Sequence, residues 1–259
     1  MRGMLFMYIK RMRGYKMKII IPTKGRAGAV TTLKLFPTAS LLVEPQEQNK
    51  YRIAYPGVEI LLLDENDQGI GYARNWVLDN NDGRVLMLDD DLIKIFKAEC
   101  QGKYRRCEPM EIVSAIEDLM GEGIALVGIA YVASAWMKVK RYSFNTGRIW
   151  CVTGLNIDLL REKKIRYDRE VDLFEDFDYQ AQVISKGLNT GVDNLYSFEC
   201  VPMATNDGGL SGIRTNTKSY EAATRFVKKW FWCSKLEYKK NRGQMEVGIA
   251  WKKIRRNVG

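Results

Sequence analysis

Short apolar runs separated by polar, glycine-bearing turns dominate the N-terminal third of the chain. Lys18-Ile19-Ile20-Ile21-Pro22 is β-branched and closed by proline, which predicts a first buried strand. Ser40 to Glu44, Val58 to Leu63 and Val85 to Leu88 predict a second, third and fourth. Glu47 to Tyr55 is polar and reads as helix or loop, whereas Tyr72 to Asn80 has helical spacing at Ala73, Trp76 and Val77. This order predicts an α/β fold, a mostly parallel central sheet flanked by helices, with a ligand site off the carboxyl ends of the strands.

Further along, Ile112, Ala115, Ile116 and Leu119 mark a helix over Pro109 to Met120, stopped by Gly121 and Gly123. Ile124 to Val132 and Ile149 to Val152 read as strands, with Asn145-Thr146-Gly147 a turn between them. A helix starts near Asp172, with Glu175 as a capping partner and Phe177, Ala181 and Ile184 on its apolar face, and stops at Gly187. Ser219 to Tyr238 predicts a long helix with Ala223, Phe226, Val227, Trp230 and Cys233 inward.

Two acidic clusters stand out against this frame. Asp89-Asp90-Asp91 follows the fourth strand directly, where hard oxygen ligands at a sheet's rim can let a divalent cation bridge the protein to a diphosphate. Alone, such a triplet is more often a solvated turn. Glu175-Asp176-Phe177-Asp178 lies downstream, and the first-turn Asp176 and Asp178 gain from the helix dipole, which keeps a carboxylate ionised and able to accept a proton. The loop Thr23-Lys24-Gly25-Arg26-Ala27-Gly28 can wrap a nucleotide, although a lone glycine-bearing loop is a weak signal.

Composition narrows the chemistry. The 259 residues are 46% hydrophobic, enough for one principal domain with appendages. The chain has no histidine, so any metal is held by oxygens, favouring Mg²⁺ or Mn²⁺, and base catalysis falls to a carboxylate. Five cysteines without a C-x-x-C spacing suggest neither a disulfide framework nor a zinc site, and fit a reducing cytoplasm. No apolar run is long enough to span a membrane, and the segment before Met17 reads as a basic arm or an upstream-start extension. Charge is split: residues 1–18 carry +6, residues 19–209 carry −6, and residues 210–259 carry +10. Basic ends on an acidic body point to a polyanionic partner, with a solubilising surface as the plainer alternative.

In Ile19-Ile20-Ile21-Pro22-Thr23, Gly71-Tyr72-Ala73-Arg74-Asn75, Leu88-Asp89-Asp90-Asp91 and Glu175-Asp176, taken in that order, the chain resembles GT-A fold glycosyltransferases over residues 18 to about 190. More narrowly, it is similar to bacteriophage glycosyltransferases that add sugars to hydroxymethylated pyrimidines in DNA, including those accompanying methylpyrimidine hydroxylases. The chain is expected to divide into a basic arm at 1–17, a catalytic domain at 18–212 and a basic helical region packed on it at 213–259. The resemblance implies a nucleotide-sugar donor, UDP-linked, with Thr23 and Arg26 near the nucleotide, Glu44 near its base, and Arg74 near the diphosphate or sugar.

Asp89 and Asp91 would form the D-x-D pair, Asp91 binding the metal, with Asp90 in the donor site beside them; Asp176 would be the base of an inverting, in-line displacement, with Glu175 beside it. Many relatives complete the metal site with a downstream histidine, for which Asn206, Asp207 or water would substitute here. DNA carrying 5-hydroxymethylcytosine is the implied acceptor, met by Arg214, Lys218, Lys228 and Lys229. Competing readings keep the fold but send the sugar to a glycan, lipid or protein, or make the chain a sugar nucleotidylyltransferase. A non-enzymatic nucleic-acid-binding protein is the last alternative.

Overall fold

The computed structural model describes residues 17–99, 103–132, 140–147, 149–171, 173–202, 216–239 and 243–257. The basic arm before Met17 lies outside them, and Met17 itself is buried. The chain opens with β1 (Lys18–Pro22), β2 (Ser40–Val43), α1 (Gln48–Ala54), β3 (Ile60–Leu62), α2 (Ile70–Asp79) and β4 (Arg84–Leu88). There follow β5 (Leu92–Ala98), β6 (Tyr104–Arg106), α3 (Pro109–Gly121), β7 (Leu126–Tyr131), β8 (Tyr142–Phe144), β9 (Val152–Asn156) and α4 (Ile157–Glu162). The remainder comprises α5 (Glu175–Ser185), β10 (Thr190–Cys200), α6 (Asn216–Lys229), β11 (Ser234–Lys239), β12 (Gln244–Ile249) and α7 (Trp251–Arg256).

One sheet organises the body in the order β3-β2-β1-β4-β9-β7-β10-β5-β6, with β8 on β10. Its first half, β3 through β4, is parallel, as the apolar runs predicted. Beyond it β9 runs antiparallel between β4 and β7, while β7 and β10 pair parallel. The period-two rule explains why these strands read as unbroken apolar runs: both faces are covered. Ile19, Ile21, Leu41, Val43, Leu86 and Leu88 point into one core with α3, whereas Ile20, Leu42, Val85 and Met87 point into the other with α2, α4 and α5. Each fully buried aliphatic side chain contributes roughly 1.5–3 kcal/mol.

Local signals set the helices that frame the site. Pro109 begins α3, and the Glu108 N–H donates to the Glu111 carboxylate across the first turn at 3.3 Å. Gly154 on β9 lets α3 close in, because a Cβ there would overlap Ile116 and Met120.

Three expectations change. The strand expected at Ile149 to Val152 starts only at Val152, because Cys151 adopts a left-handed backbone (φ 56°) that breaks extension. The helix expected near Asp172 begins at Glu175, whose carboxylate bonds Arg74 instead of capping; Asp172 lies outside the described residues. The long helix expected over Ser219 to Tyr238 ends at Lys229, and residues 234–249 form the β11–β12 hairpin. From Ser234 the pattern has period two, with Leu236 turned to the core and Lys235 out, which a helix cannot satisfy.

This C-terminal helix, hairpin and short helix build a third core against α5, in which Ala223, Phe226, Trp230, Val247 and Ile254 meet Ala181 and Ile184. No helix among the described residues is long and apolar enough to cross a membrane.

Candidate active site

The carboxyl ends of β1 and β4 and the N-terminus of α5 converge. At the end of β4 the Asp89–Asp91 turn is stapled by Thr32, fully buried, whose hydroxyl donates to the Asp89 carbonyl (2.6 Å) and accepts from the Leu92 N–H (2.9 Å). Asp89 N–H donates to the Cys151 carbonyl at 2.8 Å and Val201 N–H to the Asp91 carbonyl at 2.9 Å, tying the turn to β9 and β10. These bonds fix where the three carboxylates point.

They point differently. Asp90 turns inward, accepting from the Thr23 hydroxyl at 2.6 Å and pairing with Arg26. Burial pushes its carboxyl up to about 6, against the pull of Thr23 and Arg26. Asp91 lies 3.6 Å from Arg26, and its Oδ1 is buried without a hydrogen-bond partner among the described residues; burial and then the Asp89 charge raise its pKa. Asp89 is the most open of the three and faces Arg74 at 3.6 Å. The Cys151 thiol bonds Cys200 and Asp89 at the same rim, and these contacts together with burial raise its pKa.

Arg74 is the hub. Its guanidinium, almost fully buried, reaches Glu175 at 3.1 Å and Asp176 at 2.5 Å through Nη1, and Asp89 through Nη2. It also lies over the Tyr167 ring, 5.3 Å from the centroid, and Tyr167 stacks on Tyr179 at 3.9 Å. Asn75 locks this arrangement: its amide donates to the Tyr167 carbonyl at 2.8 Å and accepts from the Tyr167 N–H at 2.9 Å. Thus α2, which carries Arg74, is clamped to the segment leading into α5, which carries Asp176.

Burial pushes Asp176 up to about 7, opposed by Arg74 and reinforced by the Glu175 and Asp89 charges. A carboxylate poised near neutrality and a quarter exposed is what general-base work requires. Arg74 is held well above its usual range, since its acidic neighbours outweigh burial, and stays charged.

The structure therefore brings together Asp89, Asp91, Arg74, Glu175 and Asp176, with Thr23, Arg26 and Asp90 forming an internal brace beside them. Glu44 is buried at the end of β2, paired with Lys24 at 2.9 Å and accepting from the Asp67 N–H at 3.0 Å, so it orders the neighbouring loops. Lys229 is engaged by Asp168 (2.6 Å) and by the fully buried Asp178 (2.8 Å). Lys228 is exposed on α6 and Lys218 is exposed near its start. Asn206, Asp207 and Arg214 lie outside the described residues.

Sequence reasoning missed Thr32, Tyr51, Asn75 and Tyr167. Tyr51 binds Thr23 and the Arg26 N–H, each at 3.0 Å. Asn75 stood inside the quoted Gly71–Asn75 segment; a polar side chain in the first turns of a helix with an apolar face was its one signal.

Among the described residues no group of three or more His, Cys, Asp or Glu side chains is gathered as a ready metal cage. The rim offers two carboxylates, Asp89 and Asp91, the latter with a buried oxygen that has no hydrogen-bond partner among the described residues. That fits Mg²⁺ or Mn²⁺, which use one or two carboxylates and complete their shells with water and substrate phosphate.

Residues 17–209 match the family described as TET-Associated Glycosyltransferase. The chain belongs to that family. It is an enzyme that transfers a glycosyl group, and its fold is GT-A-like. Among curated proteins it is similar to the beta-glucosyl-HMC-alpha-glucosyl-transferase of Enterobacteria phage T6, with 27% identity over 79% of this chain and 78% of that protein. It is also similar to the phage T2 protein of the same name, with 26% identity over 90% and 89%. Among solved structures, S. aureus TarS 1–349 in complex with UDP-GlcNAc superposes with a TM-score of 0.54 at 13% identity, over 82% of this glycosyltransferase and 67% of TarS 1–349. A second structure of that fragment gives 0.50 at 14%, over 71% of this chain; the chain spans 59% of the fragment's length there.

Proposed function

We propose that this glycosyltransferase moves a sugar from a UDP-linked donor to a hydroxyl carried on 5-hydroxymethylcytosine in DNA, by in-line displacement with Asp176 as general base. The observation that carries the reading is the convergence on one buried guanidinium, Arg74, of the β4 rim through Asp89 and of the α5 terminus through Asp176. A proton acceptor and a phosphate-binding rim held within one side chain's reach suit a reaction in which an alcohol attacks a carbon bonded to phosphate.

In that step the acceptor oxygen forms a bond to the anomeric carbon, the bond from that carbon to the diphosphate oxygen breaks, and the electron pair leaves with the diphosphate. Asp176 takes the hydroxyl proton. Arg74 holds Asp176 in line and lends positive charge to the side where the leaving group gathers negative charge. Asp89 and Asp91 would hold Mn²⁺ or Mg²⁺, which when bound supplies charge neutralisation for the departing diphosphate.

The phage relatives' names put their acceptor on HMC, which supports DNA over a free glycan. The same names favour a second reading in two details: the acceptor hydroxyl sits on a glucose already attached to HMC, and the new linkage is α. From an α-linked donor an α product means retention and takes Asp176 out of the role of base.

One experiment separates these: labelled nucleotide sugars are incubated with duplexes carrying 5-hydroxymethylcytosine or its β-glucosylated form, and the product's anomeric configuration is read by NMR. Label in the first duplex with inverted configuration supports the leading reading. Retention overturns the base mechanism, label only in the glucosylated duplex moves the acceptor to the sugar, and no label in either duplex overturns the DNA acceptor. Asp91→Ala should abolish both transfer and Mn²⁺-dependent binding of UDP.

A further inference from the structure

Residues 216–257 carry 12 Lys+Arg against 3 Asp+Glu, and part of that charge is answered within the fold. Lys229 pairs with Asp168 and Asp178, and Lys235 and Lys239 pair with Glu237. The helix α7 is different. Lys252, Lys253, Arg255 and Arg256 are all exposed, none of them has an ion pair among the described residues, and the helix has no acidic residue. Its one buried side chain, Ile254, roots it in the third core.

The position of α7 gives that charge a use. α7 lies against α5, and Trp251, its first residue, meets Phe177 edge-to-face with centroids 6.2 Å apart. Phe177 follows Asp176. The Trp251 ring also fills the space above Gly147, where any Cβ would overlap it, and Ala250 N–H hooks onto the Cys233 carbonyl at 2.8 Å. Four cations without an ion pair among the described residues are thus carried on a helix whose first residue packs on Phe177, the neighbour in sequence of the residue proposed as base. The body from residue 19 to 209 carries −6 and repels a polyanion, so a nucleic acid reaching Asp176 needs a basic counter-surface close by.

We propose that α7 binds the phosphate backbone of the DNA acceptor through Lys252, Lys253, Arg255 and Arg256, with Trp251 setting the distance from those phosphates to Asp176. This rests on the DNA-acceptor reading above. It moves the main backbone contact from α6, where Lys229 is already paired, to α7. Phosphate contacts of this kind position a duplex without reading its sequence.

The test is fluorescence-anisotropy titration of a duplex containing 5-hydroxymethylcytosine, across a salt series, with wild type, K252Q/K253Q/R255Q/R256Q, the charge-keeping K252R/K253R/R255K/R256K, and K50Q/R52Q as a surface control. Each lost phosphate contact should lower the slope of log K against log salt by about 0.9, so the neutralised variant binds at least about tenfold more weakly at low salt with a much flatter slope. The charge-keeping and control variants should match wild type. The thermal shift given by UDP with Mn²⁺ reports whether the neutralised protein is folded; if it is not, R255Q and R256Q singly should each flatten the slope by about 0.9. A neutralised or singly substituted folded variant with wild-type slope overturns the α7 assignment and leaves the DNA reading standing. Wild type that neither binds duplex in a salt-dependent way nor labels it overturns the DNA reading itself. Binding of wild type to anionic phosphatidylserine vesicles but not to DNA reassigns α7 to a membrane surface.

Discussion

Asp176, Arg74 and Glu175 act as a unit, since one guanidinium serves both carboxylates. Replacing Asp176 by Asn keeps shape and removes the proposed proton acceptor. Turnover should fall by about 10²–10⁴-fold while UDP binding, measured calorimetrically, stays near wild type. The pH dependence follows from the raised carboxyl. A base must be ionised, so activity should rise with pH and level off once Asp176 has lost its proton, at or below about 7, and a divalent cation held at Asp89 would pull that limb lower still. Asp176→Asn should lose the limb along with the rate, and a limb that survives the substitution assigns it to another group. Thr32 sits one step back. Thr32→Val leaves the Leu92 N–H without its acceptor and the Asp89 carbonyl without its donor, costing about 1–3 kcal/mol by chemical denaturation and loosening the aspartate turn.

At the scale of elements, α5 is held from both ends of its first two turns. Asp178, fully buried, accepts from the Trp230 indole N–H at 2.8 Å, from Gln182 at 2.6 Å and from Lys229 at 2.8 Å. Asp178→Ala strands a buried indole N–H and half of the Lys229 pairing, a loss of about 3 kcal/mol, whereas Asp178→Asn keeps an acceptor and should lose less. Hydrogen exchange should show the loss concentrated in α6 and the hairpin. The strands β1 to β4, the helices α2 and α3 and the two acidic clusters were all legible in the sequence, because strands covered on both faces (or half-buried at the edge, as β3 is) and amphipathic helices write their burial directly into apolar spacing. Other elements were not. β5 and β10 mix Lys, Tyr, Glu and Asn into strands whose burial is set by each other across a long stretch of sequence, and β6 is a three-residue, largely exposed hairpin partner of β5. The direction of Asp90 depends on Thr23 and Arg26, more than sixty positions away, and no local pattern encodes such a partner.

At the scale of the molecule, the family match ends at residue 209 and the core does not. One side of α5 faces the sheet through Tyr179 and Val183; the other, Ala181 and Ile184 with Phe174 and Phe177 beside them, is covered by α6, the hairpin and α7. A chain cut after residue 212 would keep every residue assigned to the chemistry and expose that second face. Burial of Phe226, Trp230, Val247 and Ile254 would be lost at roughly 1.5–3 kcal/mol for each aliphatic side chain, against a total stability of about 5–15 kcal/mol for a typical domain. The newly exposed aromatic surface would also favour association. The truncated protein should therefore elute as aggregate or soluble oligomer on size exclusion, bind a hydrophobic dye, and show no transfer even to a small hydroxymethylated nucleoside, because Asp176 rides on the uncovered helix. A monodisperse truncation that still glycosylates the nucleoside would mean that residues 213–259 serve the acceptor alone and contribute nothing to holding the base in place.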